Sequence, residues 1–153
     1  MPTYLKGAKG SQLLVKLQTS LPGVTPITYG HPCSINAERE FALEANINES
    51  EVIDCDDPEA PSWVTRTVQS LSGTVTGGGR HNTADWSAWW DWFISGETRR
   101  CQVVTNVAAE DGGDITEGEF VLANLSKSGA RGGEVESAMT LQSSGPLVRS
   151  EVE

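Results

Sequence analysis

The stretch WVTRTVQSLSGTVTGGG, residues 63–79, is rich in valine and threonine, which favour β-strands. Its alternation changes phase, because the apolar residues Val68 and Leu71 fall on opposite parities. A β-bulge near Gln69-Ser70, or burial of both faces, would account for the change. We interpret the triple glycine, Gly77 to Gly79, as a flexible bend. The stretch predicts one long strand and a β-rich fold.

Further strands are predicted on both sides of this stretch. They are QLLVKLQ (12–18), ITYGHPCSI (27–35), RRCQVVTN (99–106), GEFVLANLSKSG (118–129) and EVESAMTLQSSG (134–145). Glycine-containing turns between the later strands predict β-hairpins. A chain of 153 residues has the ordinary length of one domain, so we expect a single domain over 1–153 with a short C-terminal tail at 146–153.

One helix is predicted, in NTADWSAWWDWFISGE at 82–97. Asn82 is the expected N-cap, and Gly96 fits the position just past the C-terminus. Aromatic residues at positions i, i+3, i+4 and i+7 form one stripe, which we expect to pack on the sheet. They are Trp86, Trp89, Trp90 and Phe93. Trp92 lies off this stripe and is a candidate either for a contact between subunits or for partial burial in its own subunit.

The formal net charge of the chain is -10. Binding to a phosphate backbone needs lysine and arginine to displace counterions, so this charge disfavours nucleic-acid binding. Three cysteines at unrelated spacings cannot all pair, and a reducing compartment is the simplest interpretation. No apolar run has the length of a signal peptide or a membrane span, so we expect a soluble protein made in the cytoplasm.

The stretch DCDDPEAPSW, residues 54–63, concentrates four carboxylates and raises the question of a metal site. It lacks the central glycine and the ligand spacing of an EF-hand loop, and no close cysteine and histidine pairs form a zinc pattern. The two histidines, His31 and His81, lie outside any recognisable nucleophile motif. The sequence therefore predicts no enzyme, no metal and no cofactor, and a long solvated acidic loop at about 44–61.

The order of these features resembles the major tail tube proteins of long, flexible, non-contractile phage tails and of phage-like gene transfer agents. The resemblance rests on Asp54 in the acidic loop, Trp63 at the start of the long strand, SLSG at 70–73 and the helix at 82–95. The later segments GEFVLANLSKSG and MTLQSSG also look like the closing strands of the family. The chain departs from the family pattern at Cys55-Asp56 and at the triple glycine.

The resemblance implies a mainly β fold, an antiparallel β-sandwich or small barrel with one flanking helix. It implies a structural virion protein whose hexameric rings stack head-to-tail into a tube that conducts double-stranded DNA without specific binding. The implied partners are other copies of the chain, the tail terminator, the tape measure and the distal tail proteins. The implied location is the virion tail, assembled in the host cytoplasm, with no membrane insertion.

Negative charge fits such a conduit, because an acidic wall repels the phosphate backbone of the passing DNA. We expect the acidic segment to contact a neighbouring subunit through the carboxylates of Glu49, Glu51, Asp54, Asp56, Asp57 and Glu59. The expected basic partners on that subunit are Arg66, Arg99, Arg100 and Arg131. Reversing two of these acidic charges should then weaken assembly in a salt-dependent way.

Two alternatives remain open at the level of sequence. The first is the inner tube protein of a contractile injection machine, such as a type VI secretion system, whose rings share the fold. The second belongs to a different class, a carbohydrate-binding β-sandwich that would use exposed tryptophans as a sugar platform.

Overall fold

Eight antiparallel strands and one helix make up the fold of this computed structural model, which describes residues 3–18 and 28–152. The strands are β1 (Leu13–Gln18), β2 (Tyr29–Gly30), β3 (Glu38–Val52), β4 (Trp63–Arg80), β5 (Arg99–Thr105), β6 (Asp114–Ser128), β7 (Glu136–Ser143) and β8 (Val148–Glu151), and the helix is α1 (Trp86–Ser95). The strands form one sheet in the order β2-β1-β5-β6-β7-β4-β3, and β8 pairs with β6. The predicted mainly β, antiparallel fold with one flanking helix is confirmed.

The long strand β4 carries the predicted bulge. Asn46 of β3 pairs with Ser70, but the next residue, Ile47, pairs with Val68, so Gln69 is the extra residue on β4. The bulge explains the change of parity in the sequence. Because Gln69 is an extra residue, residues of opposite parity before and after it lie on the same face of the sheet. Of the two explanations offered by the sequence, the bulge is therefore the one that applies.

The core lies on one face of the sheet and beneath the helix. It is formed by apolar side chains of five neighbouring strands and by two tryptophans of α1, including Val15, Val75, Trp89, Trp92, Val103, Phe120 and Leu141. Cys101 is also part of it, and burial raises the pKa of its thiol to about 12, whereas Cys33 and Cys55 are exposed free thiols. Burial of this apolar area supplies the main driving force for folding.

Helix α1 packs through a different stripe from the predicted one. Trp89 and Trp92 are buried, whereas Trp90 and Phe93 are 52% and 42% exposed. The two possible stripes share Trp89, so spacing alone does not choose between them. Trp92 is selected because its indole Nε1 donates to the carbonyl of Glu97 at 2.7 Å, which satisfies the one polar atom of the buried ring. The expectations that Trp90 and Phe93 pack on the sheet and that Trp92 lies off the packing stripe were wrong.

The helix ends as predicted but begins later. Gly96 adopts the left-handed conformation with φ 68°, and its N–H donates to the carbonyl of Trp92, which confirms the glycine C-cap. The helix begins at Trp86 with Asp85 as the N-cap. Asn82 is not the N-cap, because its side-chain oxygen accepts from the N–H of Ala84 in the turn that precedes the helix.

The triple glycine belongs to β4 and is not the flexible bend that we expected. Gly77 leaves room for the side chain of Ile35, which a Cβ would meet at 2.8 Å. Gly79, at φ 149°, makes room for Asn36. The side chain of Asn36 accepts from the N–H of Arg80 and donates to the carbonyls of Arg80 and Cys33, each at 2.8–2.9 Å. The glycines therefore let the chain pack closely against this end of the sheet.

Replacing Gly79 with alanine should destabilise the protein by about 1–3 kcal/mol, because φ 149° is unfavourable for a residue with a Cβ. The new Cβ would also meet the backbone nitrogen of Ala37 at 2.9 Å. Urea unfolding measures the change. Gly7→Ala is the matched control, since nothing lies within 4 Å of its Cβ position, and equal effects of the two substitutions would contradict this explanation.

Two boundaries inferred from the sequence were wrong. The acidic loop expected at about 44–61 is strand as far as Val52, and only residues 53–62 connect β3 to β4. The short tail expected from 146 contains β8, which pairs with the first residues of β6. Both segments are polar and mostly exposed, so their sequences lack the alternation of a strand with one buried face. They are strands because their backbones pair with neighbouring strands.

Candidate assembly surfaces

A β-hairpin projects beyond the rest of the sheet, and we call it the arm: residues 43–52 of β3, the connection 53–62 and residues 63–72 of β4. Strand β7 pairs with β4 only from Thr74 onward, so within the described residues the arm strands pair only with each other. Ten strand residues at about 3.3 Å each make the arm roughly 30 Å long. The arm therefore offers two faces, two edges and a tip to a partner.

The two faces of the arm differ in chemistry. One face continues the core face of the sheet and carries exposed aliphatic side chains, which we call the apolar strip: Leu43, Ile47, Val64, Val68 and Leu71. Glu49 and Arg66 lie on the same face and form an ion pair at 3.0 Å. The opposite face is mostly polar, and there the hydroxyls of Ser50 and Thr65 lie 2.7 Å apart, but it ends at the tip in the exposed apolar pair Val52 and Trp63. The arm is amphipathic even though its strands are exposed.

The tip of the arm is acidic. Asp54, Asp56, Asp57 and Glu59 are all exposed. Their backbone is shaped by turns, since the N–H of Asp56 donates to the carboxylate of Asp54 at 2.9 Å and the N–H of Asp57 donates to the Asp54 carbonyl at 3.2 Å. No group of three or more His, Cys, Asp or Glu side chains among residues 3–18 and 28–152 is arranged to hold a metal ion. Because all four residues are exposed, their carboxylates can face a neighbour.

The end of the sheet opposite the tip carries exposed cations as well as the carboxylates Glu134 and Glu136. Strand β4 runs from Trp63 at the arm to Arg80 at this end, roughly 55 Å away at the usual rise of a strand. The turn between β6 and β7 lies here and contains Arg131. Lys127 also lies here, with its ammonium 4.4 Å from the centroid of the Trp86 ring. One subunit thus has an acidic tip at one end and exposed cations at the other.

Three of the four predicted basic partners already have partners within the chain. Arg66 pairs with Glu49, and Arg100 donates to the hydroxyl of Tyr29 at 3.2 Å and lies 3.4 Å from Glu117. The bond to Tyr29 raises the pKa of Arg100, and burial lowers the pKa of Arg99.

Arg99 is held in place by two contacts. Its guanidinium lies 5.2 Å from the centroid of the Trp92 ring and donates to the carbonyl of Gln18. Arg131, in contrast, is exposed and makes no hydrogen bond or ion pair with any part of the chain that the structure describes. Of the four arginines, Arg131 is thus the one most available to a neighbouring subunit.

The face of β3, β4 and β7 that points away from the core is acidic and rich in hydroxyls, and we call it the outer face. Its carboxylates are Glu38, Glu40, Glu44 and Glu136, and its hydroxyls include Ser70, Ser72, Thr74, Thr76 and Thr140. Arg80 is the one cation that these three strands place on it, and its side chain pairs with Glu134. An anionic polymer would find little to bind on this face.

The solved structures that share the fold include the following three. The tail of an empty gene transfer agent particle with C6 symmetry has a TM-score of 0.69 and 21% identity, covering 96% of this chain and 100% of that chain. The virion of a native gene transfer agent particle gives a TM-score of 0.69 with 20% identity, at the same coverage of both chains. The SPP1 tail tube gives 0.61 with 18% identity, over 95% of this chain and 80% of that one. No curated protein matches the chain.

The fold is shared with tail tubes, and the projecting amphipathic arm adds extended surfaces for assembly. These features are typical of a structural β-protein. The chain belongs to the phage tail tube protein family, whose model matches residues 8–149. Its role is structural, in the tail tube, and the family is not one of enzymes. This family assignment argues against the alternative of a carbohydrate-binding β-sandwich. No helix of the described residues has the length and apolar character to cross a membrane.

Proposed function

We propose that this chain forms sixfold rings, and that the rings stack head-to-tail into a tube that conducts double-stranded DNA. The observation that carries the proposal is the unlike character of the two ends of the subunit, with the acidic tip of the arm at one end and Arg131 at the other. Association between two different surfaces is heterologous. It adds subunits indefinitely when the symmetry operation that relates neighbouring subunits does not form a closed ring. The sixfold symmetry is that of the gene transfer agent tail with the same fold.

In this proposal the outer face lines the lumen. It places Glu38, Glu40, Glu44 and Glu136 on the wall, with Arg80 already paired to Glu134. DNA in the lumen would meet repulsive carboxylates and neutral hydroxyls in place of a row of cations, so it would slide without being held. The wall supplies no base-specific contact, which fits a conduit for any DNA sequence.

The tip of the arm would reach the next ring and contact the turn that carries Arg131. The predicted contacts of Glu49 and Glu51 change in this proposal, because both lie on β3 within the arm and Glu49 already pairs with Arg66. Asp54, Asp56, Asp57 and Glu59 remain as the proposed contacts between rings. The proposed partners at the ends of the tube are the tail terminator, tape measure and distal tail proteins, and the proposed location is the virion tail after assembly in the host cytoplasm.

Charge reversal at the tip, Asp56→Lys with Asp57→Lys, should raise the concentration needed for tube formation about fivefold, if each subunit loses about 1 kcal/mol. Turbidity and electron microscopy across a concentration series measure the change. The same comparison in 1 M salt should show a smaller difference, because exposed charges are screened.

The design includes a rescue and a matched control. Arg131→Glu alone should weaken assembly, and its combination with the two lysines should restore part of it. Glu110→Lys with Glu151→Lys makes the same change in net charge at exposed acids away from the tip and should have a smaller effect. An equal effect of this control, or no gain on combining the two sets, would count against contact between the tip and Arg131.

A further inference from the structure

The apolar strip of the arm continues a face that the rest of the chain covers elsewhere. Within the body of the sheet this face carries core residues such as Val75 and Leu141, which are fully buried. Beyond them Leu71 is 78% exposed and Leu43 is 69% exposed. The part of this face that the chain itself covers ends near Leu147. The side chain of Leu147 lies over Gly73 and Gly118. A two-stranded ribbon with one uncovered apolar face is at best marginally stable, so we expect a partner to cover the strip.

An apolar cleft lies at the root of the arm, where the strip meets the body of the sheet. It has a volume of about 470 Å³ and is open to solvent. Leu43, Ala45, Leu71, Pro146 and Leu147 are among the residues that line it. An open cleft of this kind, next to an exposed apolar strip, is suited to a large side chain of a partner.

Helix α1 carries another exposed apolar surface. Trp90, Phe93 and Ile94 follow one another at i, i+3 and i+4 and therefore share one side of the helix. Phe93 is the least exposed of them at 42%, and Ile94 is 64% exposed. The helix is thus apolar on two sides, one packed on its own sheet through Trp89 and Trp92 and the other open. We call this second side the helix outer face.

We propose that the apolar strip of one copy packs on the helix outer face of a neighbouring copy in the assembled tube, with the indole of Trp90 in the cleft at the root of the arm. This inference rests on the proposed self-assembly. Assembly from identical subunits through heterologous contacts needs two different surfaces on each copy, and these two are complementary in being apolar and unpartnered. The packing would place α1 between its own sheet and the arm of its neighbour.

The contact also explains why the arm is amphipathic. Its polar face carries Ser50 and Thr65 and continues the outer face, which in the proposed function lines the lumen. The apolar strip would then point away from the lumen, toward the layer in which the helices lie, because α1 packs on the core face of the sheet. The same ribbon would form wall on one side and subunit interface on the other.

A photocrosslinking amino acid tests the contact directly. Val68→p-benzoylphenylalanine places the probe on the strip, and Thr67→p-benzoylphenylalanine places it on the opposite face of the arm as the matched control. Tubes are assembled from a mixture of unlabelled and ¹⁵N-labelled full-length copies, irradiated and digested, and crosslinked peptides are identified by mass spectrometry. The expected result is a crosslink between copies from position 68 to residues 86–95, with none from position 67 to that helix.

A second pair of variants measures the energetic weight of the strip. Leu71→Ser should raise the concentration needed for assembly about tenfold without lowering the melting temperature, because Leu71 is exposed in the free subunit. Leu5→Ser, at a residue that is 97% exposed and far from the strip in sequence, should change neither.

The outcomes separate this inference from the proposed function. Tubes of the unmodified protein with crosslinks from position 68 to any segment other than the helix would overturn the inference and leave the proposed function intact. Equal assembly of Leu71→Ser and Leu5→Ser would also overturn it. Failure of the unmodified protein to assemble at all would contradict the proposed function itself, and the interface between copies with it.

Discussion

Replacing residues 53–62 with a two-residue Asn-Gly turn should give a folded protein that forms no tubes. Val52 and Trp63 are paired across the hairpin, so a two-residue turn can join them without disturbing the ladder. The change removes all four carboxylates of the tip, Asp54, Asp56, Asp57 and Glu59, and none of the core residues. Circular dichroism and thermal unfolding check the fold, and negative-stain electron microscopy at high concentration checks for tubes.

A length-matched variant separates the charge of the tip from its reach. Asp54, Asp56 and Asp57 changed to asparagine, with Glu59 changed to glutamine, keeps ten residues in the connection. This neutral tip should assemble more weakly than the unmodified protein but better than the shortened one, because its backbone and uncharged contacts remain. Tubes of normal length from the shortened arm would contradict the proposed role of the tip between rings.

Trp92→Ala should lower the free energy of unfolding by about 3–5 kcal/mol, the usual loss for a buried tryptophan. The substitution leaves a cavity under α1 and removes the donor to the Glu97 carbonyl and the ring beside Arg99. Trp90→Ala should cost about 1 kcal/mol or less, because half of that side chain is already exposed. Urea unfolding of the free subunit measures both.

These two tryptophans also separate stability from assembly. Trp90→Ala is expected to leave a stable subunit that assembles poorly, because Trp90 belongs to the helix outer face. Trp92→Ala is expected to reduce stability first, and assembly only as a consequence. Equal losses of stability in the two variants would show that the packing of α1 differs from the one described.

The sequence predicted those parts of the fold that local chemistry determines. Valine and threonine between residues 63 and 79 indicated β4, the change of parity indicated either a bulge near Gln69-Ser70 or burial of both faces, and Gly96 marked the end of the helix. Each of these features depends on residues close to one another in the chain. The mainly β fold could also be predicted, because a chain that forms several short strands and one helix has few other architectures available.

The parts that the sequence did not reveal depend on distant residues. The segment from Glu49 to Val52 is strand because β4 pairs with it, although its side chains are polar and exposed. Trp92 is buried in preference to Trp90 because of contacts with Glu97 and Arg99, which spacing within the helix does not show. The triple glycine is strand because Ile35 and Asn36 pack against it.

The acidic tip was visible in the sequence, but the apolar strip was not recognised. Alternation in REFALEANI places Leu43, Ala45 and Ile47 on one parity, which indicates a strand with one apolar face. Alternation does not tell whether the chain itself covers that face, and here it covers only the part nearer the body of the sheet. The available cation, Arg131, stood out only once the partners of Arg66, Arg99 and Arg100 were known.

Electron microscopy of the purified protein across a concentration series tests the central claim most directly, namely that this chain alone contains the surfaces for a tube. Sixfold rings at lower concentration and stacked tubes at higher concentration are the predicted result, with the outer face of β3, β4 and β7 toward the lumen in an averaged map. Monomers at every concentration, or tubes whose lumen is lined by α1, would contradict the account.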